Sequence, residues 1–240
     1  MTQTTHDPVP VIALDGPGGA GKGTVSMRVA EALGWHILDS GSLYRLTALR
    51  ALNDNVTAEH RIADIAKNLD VVYRPEAQRL QILLEGRDVS EAIRTETVGS
   101  MASVVAAMPG VRSALLERQR AFARPPGLVA DGRDMGTVVF PSAGLKIFLT
   151  ASPEERAKRR YKQLKDKGID ANLPELVAEL KLRDERDTHR STAPLIAATD
   201  AIMIDTTTMD IDTVVNRVLQ LASQRFQNGG SESDSGPMFN

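Results

Sequence analysis

The sequence predicts an α/β fold in which a parallel five-stranded sheet is flanked by helices. Five short apolar runs of strand length are distributed along the chain, and stretches with helical spacing separate them. Strands that alternate with helices in this way pair in parallel, and the helices cover both faces of the sheet. The chain has 240 residues, of which 42% are hydrophobic, so one domain with insertions can bury a sizeable core.

The predicted strands follow the apolar runs in order, at residues 9–15, 35–38, 128–130, 145–150 and 201–205. A helix is predicted after the first strand, because Val25, Val29 and Leu33 recur every four residues on one helical face.

One region breaks the alternation with short strand-like runs. Residues 71–73 and 80–84 predict a small antiparallel insertion. Its turn is expected at residues 74–77 (Arg-Pro-Glu-Ala), where the proline favours a turn.

A second region, residues 154–167, is highly charged and ends before Gly168. A solvated helix is the plain interpretation. However, Arg156, Arg159 and Arg160 share a helical face at spacings of three and four, and like charges there repel one another unless an anion binds. The alternative is therefore a mobile lid over a triphosphate.

Composition excludes several classes of site and partner. The chain contains no cysteine, which excludes disulfides and thiolate metal sites and fits a cytoplasmic protein. Its four histidines do not stand at metal-ligand spacing, and we assign no metal-binding residue. No apolar run approaches the roughly 20 residues of a membrane span. Residues 1–8 are polar and predicted to be flexible, and residues 227–240 are predicted to be a disordered tail.

Residues 16–22 (Gly-Pro-Gly-Gly-Ala-Gly-Lys) match the phosphate-binding pattern G-x-x-x-x-G-K. The motif follows a predicted strand and opens a predicted helix, which is the context that it requires. Glycines let backbone N–H groups converge on phosphate oxygens, and the helix N-terminus adds partial positive charge. Lys22 can then reach the β- and γ-phosphates. The usual hydroxyl residue after the lysine is Gly23 here, with Thr24 next, so the usual hydroxyl–magnesium bond is not assumed.

Polar residues also follow the second and third predicted strands, at 39–41 (Asp-Ser-Gly) and 131–134 (Asp-Gly-Arg-Asp). Ligands of open α/β sheets gather at the carboxyl ends of the strands, so these residues are candidates for a ligand site. An exposed helix arginine is the alternative for Arg45, and a local ion pair is the alternative for Arg133 and Asp134. Asp131 fits either a magnesium-organising acid or a structural one.

Arg183, Asp187 and Arg190 are spaced to lie on one helical face. Charge pairing within the helix is the common explanation of such spacing. A carboxylate between two arginines also suits a ribose hydroxyl and a phosphate group.

These features favour an enzyme that transfers a phosphoryl group from a nucleoside triphosphate to a small acceptor. Three alternatives remain open: a P-loop kinase for another acceptor, a nucleotide-binding switch, and a nucleic-acid-binding protein. A GTPase switch would carry a guanine-reading N-K-x-D element, which the sequence lacks. The net charge of -2 and the aromatic content of 4% disfavour nucleic-acid binding.

Three motifs together resemble those of bacterial cytidylate kinases: residues 16–24 (GPGGAGKGT), 39–45 (DSGSLYR) and 131–140 (DGRDMGTVVF). Residues 183–190 (RDERDTHR) and 193–195 (APL) add to the resemblance, which covers residues 9–226. It implies a P-loop nucleoside monophosphate kinase fold with a single domain at 9–226. Within that domain it implies a monophosphate-binding region at about 40–120, a three-stranded insertion at about 70–90, and a lid at about 154–170.

The resemblance also implies a reaction and its ligands. ATP would phosphorylate CMP or dCMP to give ADP and CDP or dCDP in pyrimidine nucleotide metabolism, with Mg²⁺ as the cofactor. It further implies a cytoplasmic monomer that binds neither nucleic acid nor membrane. The nucleophile is a phosphate oxygen that is already anionic near pH 7, so no general base is expected.

Site residues carry over position by position. ATP is expected to contact the motif and two lid arginines, namely Gly16, Pro17, Gly18, Gly19, Ala20, Gly21, Lys22, Gly23, Thr24, Arg156 and Arg160. Ser40 and Arg45 are expected on the CMP side, with Arg133 and Arg190 on its phosphate and Arg183 and Asp187 on its ribose. Cytosine is expected to meet Ser103, Arg112 and Asp134. The transition state would be neutralised by Lys22, Arg133, Arg160 and Arg190.

Overall fold

The computed structural model describes residues 9–76, 79–166 and 168–226. The predicted flexible N-terminus (1–8), the predicted disordered tail (227–240) and Lys167 of the predicted lid lie outside the described residues.

The strands of the described chain are β1 (Val11–Asp15), β2 (His36–Asp39), β3 (Val71–Glu76), β4 (Arg79–Leu84), β5 (Arg87–Asp88), β6 (Leu128–Asp131), β7 (Leu145–Thr150) and β8 (Ile202–Asp205). β2, β6, β1, β7 and β8 form, in that order, a five-stranded sheet in which every pairing is parallel. β3, β4 and β5 form a separate antiparallel sheet. The predicted fold class is confirmed.

The helices are α1 (Lys22–Leu33), α2 (Ser40–Asn53), α3 (Glu59–Lys67), α4 (Glu96–Val105), α5 (Pro109–Arg120), α6 (Pro153–Asp166), α7 (Leu173–His189) and α8 (Ile211–Phe226). A 3₁₀ turn at Ala92–Arg94 precedes α4, and a π-helical turn at Met135–Val139 follows β6.

The prediction of a turn at residues 74–77 is wrong for its first three residues. Arg74, Pro75 and Glu76 extend β3 and pair with β4. Pro75 lies within this pairing, opposite Leu80. Because β3 is the edge strand of its sheet, a proline there need not remove a ladder hydrogen bond. The remaining turn residue, Ala77, lies outside the described residues.

The central strand β1 is buried along its whole length and divides the core into two layers. Val11 and Ala13 pack in a cluster with side chains of α2, α3, α4 and α5, whereas Ile12 and Leu14 pack in a second cluster with α1 and α8. Alternate residues of a strand point to opposite faces, so an apolar run without polar interruption is what a doubly covered strand requires.

Within the described ranges, no single helix is both long and apolar enough to cross a membrane. α4 and α5 meet that criterion of length and composition only as a pair, and a bend of 98° separates them.

The parallel arrangement brings the carboxyl ends of five strands to one edge of the sheet. The segments that leave this edge are the glycine-rich loop after β1, the start of α2 after β2, the turn after β6, and the loops after β7 and β8. The candidate site residues are therefore gathered from distant parts of the sequence by the sheet itself.

Candidate active site

The glycine-rich loop between β1 and α1 has the backbone shape of a phosphate cradle. Gly16 has φ +143°, and a Cβ there would lie 2.0 Å from the Leu149 carbonyl oxygen of the neighbouring strand. Gly21, which precedes the first residue of α1, adopts a left-handed conformation with φ +93°. A side chain is excluded at the first position by space and disfavoured at the second by backbone strain, so the motif needs glycine at both.

Lys22 is buried at the floor of this cradle. Its Nζ donates a hydrogen bond to the Pro17 carbonyl oxygen at 3.0 Å and lies 3.9 Å from Asp131 Oδ1. Burial lowers the pKa of Lys22 and the nearby Arg133 lowers it further, whereas Asp131 opposes them. Burial raises the pKa of Asp131, against the effect of Lys22. Asp131 is thus the counter-ion of the cradle lysine.

A first pocket of about 930 Å³ opens over the cradle. Of the residues predicted to bind ATP, its lining includes Gly18, Gly19, Ala20, Gly21, Lys22, Gly23, Thr24, Arg156 and Arg160. Gly16 and Pro17 are not in this lining. Residues 206–211, after β8, line the pocket as well and were missed by the sequence analysis. The signal that was available is their place directly after a predicted strand, where ligands gather.

A second pocket of about 260 Å³ also borders the cradle. All of the residues predicted to contact CMP line it: Ser40, Arg45, Ser103, Arg112, Arg133, Asp134, Arg183, Asp187 and Arg190. The two pockets share Gly18, Gly19, Lys22, Arg45 and Arg183. A donor in the first pocket and an acceptor in the second would therefore meet at Lys22.

Arg133 and Asp134 do not form the local ion pair that was the alternative interpretation. Arg133 Nε donates to Asp187 Oδ2 of α7 at 3.0 Å. Asp134 instead accepts a hydrogen bond from Arg112 of α5, and both of these side chains are buried. The Arg112 guanidinium also lies 5.8 Å from the centre of the Tyr44 ring. The turn after β6 is thus connected to α7 through Arg133 and to α5 through Asp134.

Two arginines of the second pocket have buried donors that no described acceptor satisfies. These donors are Arg183 Nε and Arg190 Nη2. Burial lowers the pKa of Arg183 to about 10, and it also lowers that of Arg190. Buried donors are normally paired, so one unsatisfied donor on each of two guanidinium groups beside one cavity points to an anionic or hydroxyl-bearing ligand.

The second pocket is lined by Arg183, Asp187 and Arg190, but the prediction that all three share one helical face is wrong for Arg190. α7 ends at His189, and Arg190 follows in an extended conformation. Its Nε donates to the Ala193 carbonyl oxygen at 2.6 Å. Asp187 pairs with Arg133 of another element rather than within the helix.

The remaining CMP-side residues have backbone contacts. Arg45 Nη1 donates to the Ile93 carbonyl oxygen at 2.7 Å, and Ser103 Oγ donates to the Gly99 carbonyl oxygen at 3.3 Å. Ser40 is buried at the start of α2.

The three arginines of α6 each have protein acceptors of their own, so an anion is not needed to offset their repulsion. Arg156 is buried, and its guanidinium binds Asp184, the Gly18 carbonyl oxygen and the Ala151 carbonyl oxygen. Arg159 donates to Glu155 and to Thr206, and Arg160 lies 3.5 Å from Glu96 Oε2 of α4. In this conformation Arg156 connects the cradle to α7, while Arg160 is half-buried in the lining of the first pocket.

Asp15 is a buried carboxylate that the sequence analysis did not single out. Its Oδ1 and Oδ2 accept hydrogen bonds from the backbone N–H groups of Met135 and Gly136, each at 2.8 Å. Burial raises the pKa of Asp15 to about 6, although the Gly136 and Met135 N–H groups lower it. No sequence pattern reveals this contact, because its partners are separated by 120 and 121 positions.

The part of the chain described by the structure contains no group of three or more histidine and acidic side chains placed to hold a metal ion. Thr24 lines the first pocket and Asp131 lines the second, so each offers one oxygen ligand beside Lys22.

Comparison with known proteins places this geometry in a family. The family model for cytidylate kinase matches residues 12–224. The chain is 56% identical over 218 residues to the cytidylate kinase of Aeromonas salmonicida, a match that covers 90% of this chain and 95% of the relative. It is 58% identical over 222 residues to that of Stutzerimonas stutzeri, which covers 91% and 97% of the two chains.

Among solved structures, a gluconokinase from Sinorhizobium meliloti 1021 is similar with a TM-score of 0.50. The similarity covers 95% of this chain and 100% of the other, at 15% sequence identity. At that identity the comparison supports the fold alone.

The raised pKa of Asp15 predicts a pH-dependent contribution to stability. Because its folded pKa of about 6 exceeds the ordinary aspartate value of 3.8, its favourable contribution is present below about pH 4 and is lost as the pH rises through about 6. The loss is on the order of 2–3 kcal/mol. The free energy of unfolding of the wild type, measured with urea, should therefore fall across this range relative to that of Asp15→Asn. Parallel curves would contradict the prediction, and Asp64→Asn, at an exposed site, is the control.

Proposed function

The chain belongs to the cytidylate kinase family, and from this premise we propose that it transfers the γ-phosphoryl group of ATP to CMP or dCMP. The products are ADP and CDP or dCDP, and the reaction belongs to pyrimidine nucleotide metabolism. The observation that carries the proposal is the meeting of two pockets at Lys22, with the unsatisfied donors of Arg183 and Arg190 beside the smaller one.

ATP is assigned to the larger pocket. Its phosphates lie in the cradle, where backbone N–H groups and the N-terminus of α1 receive negative charge. Residues 206–211 form a further part of the lining and are available to the base and ribose. Arg160, whose guanidinium has one weak contact with Glu96, is the lid arginine assigned to the transferred phosphoryl group, rather than the fully engaged Arg156.

The smaller pocket is assigned to CMP. Arg133 and Arg190 hold the acceptor phosphate, and Arg183 and Asp187 face the ribose. Ser40 and Arg45 lie on the CMP side of the site. This assignment is supported by their shared cavity and by the excess of guanidinium groups over carboxylates in its lining. Charge-assisted hydrogen bonds from arginine to phosphate are shorter and stronger than neutral ones.

Cytosine is read by Ser103, Arg112 and Asp134. The base has an amino donor at N4 beside acceptors at N3 and O2, so Asp134 accepts from N4 while Arg112 donates to N3 or O2. Uracil has the opposite donor pattern at positions 3 and 4 and would leave the carboxylate facing an oxygen. Sites that leave buried polar groups unpaired reject close analogues strongly.

Chemistry in this site depends on positioning and charge. A CMP phosphate oxygen attacks the γ-phosphorus of ATP, and ADP leaves on the opposite side. The nucleophile is already anionic near neutral pH, so proton abstraction is not needed. Lys22, Arg133, Arg160 and Arg190 stabilise the charge on the transferred group and its neighbours.

Mg²⁺ is proposed as the cofactor that accompanies ATP, where it would screen the phosphate charge. With Thr24 and Asp131 as the protein oxygens beside Lys22, the ion would be held largely by phosphate oxygens and water. This fits the coordination habit of Mg²⁺, which keeps several waters and takes one or two protein ligands.

We assign residues 154–170 to a lid that excludes water from the transfer, supported by the contact of Arg160 with Glu96 of α4, both of which line the first pocket. Residues 40–120 form the monophosphate-binding region of the single domain at 9–226. A cytoplasmic monomer remains our proposal for the state in the cell.

The acceptor specificity is tested by ADP formation with Mg-ATP and, in turn, CMP, dCMP, UMP, AMP or GMP. CMP and dCMP should give the highest kcat/KM, and a blank without acceptor should be near zero because water is excluded. Preference for another nucleotide would overturn the base assignment while leaving the kinase class intact. Activity no greater than the blank with every acceptor would overturn the proposed reaction.

Lys22→Ala should lower kcat by about 100- to 1,000-fold, because it removes one fixed positive charge from the transition state. The exposed Lys67→Ala, on α3 and outside both pockets, is the matched control and should retain wild-type kinetics. Thermal unfolding of both variants shows whether the fold is intact. Unchanged turnover of a folded Lys22→Ala protein would refute the cradle assignment.

A further inference from the structure

Asp15 is the last residue of β1, directly before the cradle glycine Gly16. It is only 4% exposed and lines neither of the two pockets. This carboxylate therefore does not contact nucleotides directly; besides the favourable interaction of its charge with Lys22, it acts through the residues that it holds.

Those residues form the turn after β6. The Gly132 N–H donates to the Leu14 carbonyl oxygen at 3.0 Å, and the Met135 and Gly136 N–H groups donate to the Asp15 carboxylate. Arg133 and Asp134 lie between these fixed points. The end of β1 thus holds the turn at both sides of the two residues assigned to the acceptor phosphate and to cytosine.

We propose that Asp15 is a positioning residue that holds the turn bearing Arg133 and Asp134 in register with the phosphate cradle and so supports discrimination between cytosine and uracil. This inference rests on the proposed function and deepens it. Asp15 connects the two nucleotide sites. Its carboxylate holds the turn of the acceptor site, and the residue after it, Gly16, begins the phosphate cradle of the donor site.

A carboxylate suits this task better than any isosteric side chain. Its two oxygens accept from two N–H groups that are buried with Asp15. Asparagine has the same shape but only one acceptor, and its amide donors would face the second N–H group. Alanine would leave both N–H groups without the acceptor that buried donors require.

The acceptor side should be more sensitive than the donor side to loss of this contact. Displacing the turn disturbs the pairs between Asp134 and Arg112 and between Arg133 and Asp187. The cradle has independent supports, since Lys22 Nζ binds the Pro17 carbonyl oxygen and Arg156 binds the Gly18 carbonyl oxygen at 3.0 Å each.

The test compares wild type, Asp15→Asn and Asp15→Ala by kcat/KM for CMP and for UMP and by KM for ATP, after urea unfolding has confirmed the fold of each protein. Val218→Ala, a core substitution on α8 at a fully buried site, is the control for general destabilisation. We expect the ratio of kcat/KM for CMP over UMP to fall by about 10-fold or more in the Asp15 variants. KM for ATP should change by less than about threefold, and Val218→Ala should keep the wild-type ratio.

An unchanged ratio in folded Asp15 variants would overturn the inference, and so would a rise confined to KM for ATP, which would place the role of Asp15 in the cradle. A wild type without CMP activity would instead overturn the proposed function. Should the Asp15 variants fail to fold, Gly136→Val approaches the same contact from the other side. A Cβ at this position would already lie 3.4 Å from Asp15 Oδ2 and 3.1 Å from Lys146 Cδ, so the methyl groups of valine must displace these neighbours, and the variant should lower the ratio in the same direction. A wild-type ratio in that variant would count against the inference.

Discussion

Buried positive charge at one edge of the parallel sheet is the constraint on which the rest of the site depends. Lys22 and Arg183 are held there with too little water to solvate them, and burial is the largest cause of their lowered pKa values. A buried charge must be paired or bound by a ligand of opposite sign. Carboxylates from several elements provide part of the compensation, and the phosphate groups of two nucleotides provide the rest in our account.

The compensating carboxylates also fix the geometry of the cationic groups. Asp187 of α7 orients Arg133, while Asp184 of the same helix holds Arg156, which binds the cradle backbone. Through these two aspartates, α7 is connected to both pockets. Asp15 is a group that this arrangement holds in an unfavourable state. Its raised pKa means that burial disfavours the ionised carboxylate, although that form accepts both hydrogen bonds from the turn. Functional sites commonly keep such locally unfavourable groups.

Patterns of a few adjacent residues were enough to predict the features that depend on adjacent residues alone. The five central strands and the glycine-rich loop were predicted because each is encoded within a few adjacent residues. The grouping of the CMP-side residues was expected from the family resemblance and from the rule that ligands gather at strand ends. The contacts of Asp15 with Met135 and Gly136, of Arg156 with Asp184, and of Arg160 with Glu96 were not predicted. They join residues that are far apart in sequence. The pairing of β1 with β6 brings Asp15 to the turn after β6, and the packing of α4, α6 and α7 brings the other two pairs together. The course of β3 through Pro75 was missed because its position at a sheet edge is a property of the fold.

The central claim is that the smaller pocket is an anion site in which arginine side chains, foremost Arg133 and Arg190, bind the phosphate of the acceptor. Isothermal titration calorimetry of CMP, compared with cytidine as the same base and sugar without phosphate, tests it most directly. Loss of several charge-assisted hydrogen bonds should weaken cytidine binding by about 100-fold or more, which corresponds to about 2.7 kcal/mol. Affinities of CMP and cytidine within about threefold of each other would contradict the account.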